Sequence, residues 1–161
     1  MNVHFIDTSV LVNILDIPNM NACREIVLEE FESLKESGID TLILPLATII
    51  ETGNHIAHIS DGRIRRDKGT NMAGMLKDMA EGNAPWEYYE EEINREDLLY
   101  FAEEFPEMAM AKTGLGDLSI IAAYNKYKES VPAIGHIRIW SIDNHLQSYS
   151  EEMTTEPRRK R

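Results

Sequence analysis

Hydrophobic and polar positions change period several times along the chain, and each change marks a predicted element. Residues 3–6 form a short apolar run with strand character; Asp7, Thr8 and Ser9 follow, and from there Val10, Leu11, Ile14 and Leu15 take helical spacing. Asp, Thr and Ser all cap helices, because their side-chain oxygens accept from the free amides of the first turn. Residues 21–37 place Cys23, Ile26, Val27, Phe31 and Leu34 on one helical face with glutamates between them, and Gly38 closes that helix. Residues 41–44 are a compact aliphatic run suited to a buried parallel strand, ended by Pro45. Helical spacing resumes at Leu46, so that Glu51 lies about one and a half turns into a helix.

The second half repeats the alternation with weaker signals. Residues 61–82 read as a helix interrupted by Gly69 and Gly74, and residues 85–89 as a short edge strand, since Trp and Tyr favour a pleated, half-buried surface. Asn94 is a cap for a helix over 95–105, which Pro106 is expected to end. Residues 113–117, TGLGD, read as a loop that delivers Asp117 to a strongly apolar helix. Residues 134–142 have strand composition and deliver Asp143 and Asn144 before a terminal turn. Strands alternating with helices imply an α/β class with a parallel sheet covered on both faces. Residues 1–150 are predicted to be one domain, and 151–161, EEMTTEPRRKR, a disordered basic tail.

Composition narrows the function. One cysteine, Cys23, rules out an intrachain disulfide framework and a zinc cluster built on thiolates. No apolar stretch approaches the ~20 residues of a membrane span, so a soluble, cytoplasmic protein is expected. The net charge of -12, from 28 acidic and 16 basic side chains, opposes the usual footprint of a nucleic-acid binder. A phosphate-bearing partner would need bound cations or a local basic patch, and Arg63, Arg65, Arg66 and Lys68 form one such patch, read either as RNA-binding or as a solvated helix face.

Four acids, Asp7, Glu51, Asp117 and Asp143, each follow a strand or loop at or near a helix start, against apolar neighbours. Parallel strands would put Asp7 and Asp143 on one sheet edge, with Glu51 and Asp117 leaning towards it. Four such carboxylates would repel by several kcal/mol at an effective dielectric of ~20, so a cation is expected among them. Mg²⁺ binds through carboxylates and shares its shell with phosphates, which points to phosphodiester hydrolysis. Ser9, Thr113 and Asn144 are candidates for orienting those carboxylates or waters. Each acid also has a structural reading: a helix cap for Asp7 and Asp117, a salt bridge to Arg63 or Arg65 for Glu51, a turn for Asp143. An aspartyl-nucleophile phosphatase is disfavoured because position 9 is Ser where that chemistry needs a second acid. A non-catalytic RNA- or protein-binding module is the alternative function.

The runs FIDTSVLVNILD, LATIIETGNH, GLGDLSIIAAY and IWSIDNHL together resemble the PIN-domain nucleases, including toxin members of toxin–antitoxin pairs, over residues 2–149. The resemblance implies a three-layer α/β/α fold with a central, mainly parallel sheet and Mg²⁺- or Mn²⁺-dependent endonucleolytic cleavage of RNA. It puts Asp7, Glu51, Asp117 and Asp143 on the family's metal-binding acids and Ser9 on its small hydroxyl near the first acid. An antitoxin partner and a homodimer are further implications. His145 stands where the family often carries a second acid, two residues after Asp143.

Overall fold

The computed structural model describes residues 1–153. Five strands, β1 (Asn2–Ile6), β2 (Asp40–Ile43), β3 (Trp86–Glu87), β4 (His136–Trp140) and β5 (Ser150–Glu152), form one sheet in the order β3-β2-β1-β4-β5. The first four are parallel, and β5 runs antiparallel to β4. Seven helices fill the intervals among the described residues: α1 (Thr8–Ile14), α2 (Arg24–Glu36), α3 (Leu46–Ala57), α4 (Gly62–Ala80), α5 (Arg95–Met110), α6 (Leu115–Ser130) and α7 (Asn144–Gln147). The class is α/β with a mainly parallel sheet flanked by helices. No helix among the described residues is long and apolar enough to cross a membrane.

Strand β1 is apolar on both faces because both are covered. Ile6 joins a core with Val10, Leu11, Val27, Phe31 and Met72 from α1, α2 and α4, while Val3 and Phe5 face Ile120, Ala123 and Tyr124 of α6. His4 interrupts the run and is nevertheless buried. Its Nε2 lies 2.6 Å from Asp40 Oδ1, and Arg138 Nε donates to its Nδ1 at 2.7 Å. Burial holds the imidazole below its usual pKa against the pull of Asp40, which suits a neutral ring that donates on one side and accepts on the other. Since β1 pairs with β2 on one side and β4 on the other, the chain reverses direction across the sheet at β1. Open α/β sheets bind ligands at such a point, beyond the carboxyl ends of the strands.

Three expectations need correction. The helix expected to end before Pro106 continues to Met110. The missing N–H costs the bond to Ala102, but Ala102 is exposed, so its carbonyl has solvent at hand and the interruption is tolerated. The loop expected over 113–117 ends at its cap, Gly114, so Asp117 stands inside the first turn of α6, at the amino end of the helix as expected. Glu151 and Glu152 belong to β5 and not to a disordered tail, because Tyr124 and Lys128 donate to Glu151 at 3.1 and 2.9 Å and Met153 N bonds Gly135 O at 2.7 Å. The basic residues Arg158, Arg159, Lys160 and Arg161 lie outside the described residues.

Helix α3, which carries Glu51, begins after Pro45, and Pro45 offers no capping side chain. Glu92 supplies the cap from the loop between β3 and α5: its Oε2 accepts from Leu46 N at 2.8 Å, and its Oε1 has no partner. The side chain is 2% exposed, and burial pushes its carboxyl up to about 7, against the Leu46 amide and Lys126, which pull it down. The folded protein therefore holds this proton to a higher pH than the unfolded chain, and stability falls as pH rises from the ordinary value of 4.5 through about 7. Glu92→Gln keeps an acceptor for Leu46 and removes the ionisation. In urea unfolding it is expected to match the parent at pH 4 and to exceed it at pH 8 by up to ~3 kcal/mol; a pH-independent difference would refute the assignment.

Candidate functional site

Parallel register delivers the first acid. Ile6 pairs with Trp140, so Asp7 and Ser141 leave their strands side by side, with Asp7 N bonded to Trp140 O at 3.0 Å. The Asp7 carboxylate is buried and heavily held. Its Oδ2 accepts from Ser9 N at 3.3 Å, Ser9 Oγ at 2.6 Å and Ser141 Oγ at 2.9 Å. The Ser9 amide makes Asp7 the cap of α1, so the structural reading of this residue holds alongside any other. Ile142 N and Asp143 N donate in turn to Ser9 Oγ and Ser141 Oγ, each at 3.0 Å, and lock the two crossover turns together.

Glu51 reaches the same place from the side. Thr8 Oγ1 donates to its Oε2 at 2.8 Å, and Thr48 on the same helix donates to Ile6 O at 2.8 Å, which pins α3 to the end of β1. Its Oε1 lies against α6 where Gly116 leaves room: a Cβ there would overlap Oε1 and come within 3.2 Å of Cδ. Asp117 is next on α6 and is half-buried. Burial pushes its carboxyl above the ordinary range, the charges of Asp7 and Glu51 and, more weakly, Asp143 push the same way, and His145 opposes them. Asp143 takes the cap position of α7 without making a capping bond and stays exposed.

Asp7, Glu51, Asp117 and Asp143 therefore line one cleft, of ≈ 430 Å³, together with Thr8, Ser9, Asn13, Cys23 and His55. None of the four acids forms an ion pair with Lys, Arg or His among the described residues, which removes the expected alternative of a Glu51 bridge to Arg63 or Arg65. Two predicted positions do not join them. Thr113 is buried with its hydroxyl 3.3 Å from His145 Nε2, and Asn144 is exposed outside the cleft. Thr113 immediately precedes the α6 cap, and Asn144 is the first residue of α7.

Sequence reasoning missed Ser141, the Thr8 contact and Asn13. Ser141 is the one hydroxyl in the apolar run IRIWSI, a signal that was present. Asn13 bridges Ser9 O at 2.8 Å and Cys23 N at 3.0 Å and so fixes the wall of the cleft, but nothing in its neighbours announces that.

The donor set is all-oxygen and anionic, which matches a hard divalent cation and not a thiophilic one. Among the described residues no three His, Cys, Asp or Glu side chains stand close enough to share one ion as they are; the acids surround a hollow without being drawn to a point. No family model and no curated protein matches the chain. Among solved structures, the crystal structure of VapBC2 from Rickettsia felis bound to a DNA fragment from their promoter is similar, with TM-score 0.47 and 14% identity, over 86% of this chain and 99% of that one.

Gly116→Ala tests the packing of Glu51 on α6. Alanine favours the helix by up to ~1 kcal/mol, so the melting temperature is expected to hold or rise. The displaced Glu51 carboxylate should weaken Mn²⁺ binding about tenfold in calorimetric titration. Unchanged Mn²⁺ affinity would show that Glu51 is not a ligand.

Proposed function

We propose that the protein is a metal-dependent endoribonuclease that hydrolyses RNA phosphodiester bonds with Mg²⁺ or Mn²⁺ held by Asp7, Glu51, Asp117 and Asp143. The observation that carries this reading is the gathering of four carboxylates from four separate elements around one cleft with no cationic side chain paired to any of them. Such an arrangement costs stability unless a cation arrives. RNA as the substrate rests on the resemblance of the four motifs.

The chain's own groups prepare the site. Ser9 and Ser141 direct their hydroxyls to one oxygen of Asp7, and Thr8 does the same for one oxygen of Glu51, which leaves Asp7 Oδ1 and Glu51 Oε1 free of hydrogen bonds among the described residues. These contacts fix carboxylate orientation before any ligand binds. Asp117 sits on the first turn of α6, near its positive end, and Asp143 is exposed and free to rotate inward. A divalent ion held by these four carboxylates would supply Lewis-acid chemistry to a phosphate and would lower the pKa of a water. A protein partner, whether an antitoxin or a second copy, has as its support the exposed apolar side chains Leu98, Leu99 and Met110 of α5, which are 60%, 70% and 80% exposed.

Asp7→Asn and Asp117→Asn separate catalysis from folding. Each is expected to abolish Mn²⁺-dependent cleavage of single-stranded RNA. Without metal, Asp117→Asn should melt at or above the parent temperature at pH 7, and lose that advantage at pH 3, where the parent carboxyl is protonated in both states. Saturating Mn²⁺ should stabilise the parent by ~2.7 kcal/mol at a hundred times Kd and the variants by much less. Cleavage by both variants at the parent rate removes the proposal; a parent that binds no Mn²⁺ leaves the non-catalytic module.

A further inference from the structure

The acid cleft is the first of three neighbouring hollows that share lining residues. It shares Asn19, Met20 and His55 with a second, which continues over His58 and Ile59 at the end of α3. The second shares Asp61 and Ile64 with a third, lined by Arg63, Arg66 and Thr70 on the first turns of α4. These adjoining hollows mark a path from four carboxylates, past two imidazoles, to two guanidinium groups. Along α3 alone the distance from Glu51 to His58 is roughly 10 Å at the rise of an α-helix.

The four basic residues in this stretch have different tasks. Arg65 donates to Ile59 O at 2.7 Å, and Lys68 lies 3.7 Å from Asp16 with its side chain 14% exposed, so both are tied into the fold. Arg63 and Arg66 are exposed and pair with no carboxylate among the described residues. Two acids share their hollow. Asp61 Oδ1 accepts from Arg63 N and Ile64 N and is committed to capping α4, which leaves Asp67 as the opposing charge at hand. On a protein of net charge -12, guanidinium groups without carboxylate partners, at the end of a groove that begins in the candidate hydrolytic cleft, mark where a polyanion gains a foothold.

We propose that a single-stranded RNA follows this groove out of the cleft, with Arg63 and Arg66 holding backbone phosphates at its far end and His55 and His58 lying beside the intervening bases. This rests on the ribonuclease reading of the cleft. Guanidinium forks match phosphate oxygens, and imidazole faces stack on unpaired bases, a combination that suits a single strand. A strand of two or three nucleotides occupies the cleft without reaching Arg63, so the two arginines contribute only to longer substrates.

The test measures fluorescence anisotropy of labelled oligouridylates, a 12-mer and a 3-mer, with the full chain in Ca²⁺, a hard cation for an all-oxygen site, and a gel run afterwards checks that the strands are intact. Arg63→Ala/Arg66→Ala is compared with Lys77→Ala, which removes an exposed charge from the last turn of the same helix, and melting curves confirm that all are folded. The double variant is expected to bind the 12-mer about tenfold more weakly and to lower the slope of log K against log salt by about 1.4, the value for two phosphates on a single strand. Its 3-mer affinity and both affinities of Lys77→Ala should match the parent. Equal losses on both lengths, no loss on the 12-mer, the same loss in Lys77→Ala, or a parent that does not prefer the longer strand would overturn the groove. Adding Mn²⁺ to the parent decides the other question independently: length-dependent binding through Arg63 and Arg66 without cleavage supports the groove and sinks the ribonuclease reading.

Discussion

The structure depends on how the carboxyl group of Asp7 is held at the carboxyl end of its central strand. Asp7 is 3% exposed and has no cationic partner among the described residues, so hydrogen bonds alone fix its orientation. Those bonds come from both sides of the crossover: Ser9 follows β1, and Ser141 follows β4. They exist only because β1 and β4 are parallel and in a register that ends both strands at the same level. A slip by one residue would reverse the faces of the sheet and separate the two serines from the carboxylate. The packing of Val3, Phe5, Ile137 and Ile139 against α6 therefore also fixes the chemistry at the strand ends.

Helix α3 shows how a second charge is brought to the first. It is attached at three places along its length: Glu92 caps its first turn at Leu46, Thr48 ties it to the last carbonyl of β1, and Arg65 of α4 takes the Ile59 carbonyl just beyond its end. Each attachment comes from a different part of the chain. Glu51 hangs between them, with one oxygen on Thr8 and the other facing the gap left by Gly116. Burial, and after it the charges of Asp7 and Glu51, lifts the Asp117 carboxyl, while Asp7 and Glu51 themselves are held by Ser9, Ser141 and Thr8 and by no ion pair among the described residues.

The legible part of this arrangement is the part encoded locally. Asp7, Glu51, Asp117 and Asp143 stand at changes of hydrophobic period, and period is a short-range property, so their grouping at one edge could be anticipated once the strands were read as parallel. The parts that escaped depend on contacts between distant segments. Ser141 matters because of a strand register, and Glu92 because a loop 46 residues away in sequence meets the start of α3. Thr113 and Asn144 stand near an acid in sequence, yet neither lines the cleft. Strand β5 was hidden by composition: SEE has little strand propensity, and it is held by its ladder to β4 and by Tyr124 and Lys128.

The distribution of charge follows from the same constraint. A cleft lined by carboxylates repels a polyanionic strand until a cation is bound, and with net charge -12 the surrounding surface gives little help. On the proposed ribonuclease reading, a substrate phosphate would need its attraction from two directions, an ion among the acids and fixed cations some distance along the path. Arg65 and Lys68 cannot serve, since the fold already uses them. Arg63 and Arg66, one turn apart at the start of α4 and exposed, are left for that task and do not line the cleft whose carboxylates would hold the ion. Had the arginines stood inside the cleft, they would have satisfied the acids directly and left no charge to attract a metal.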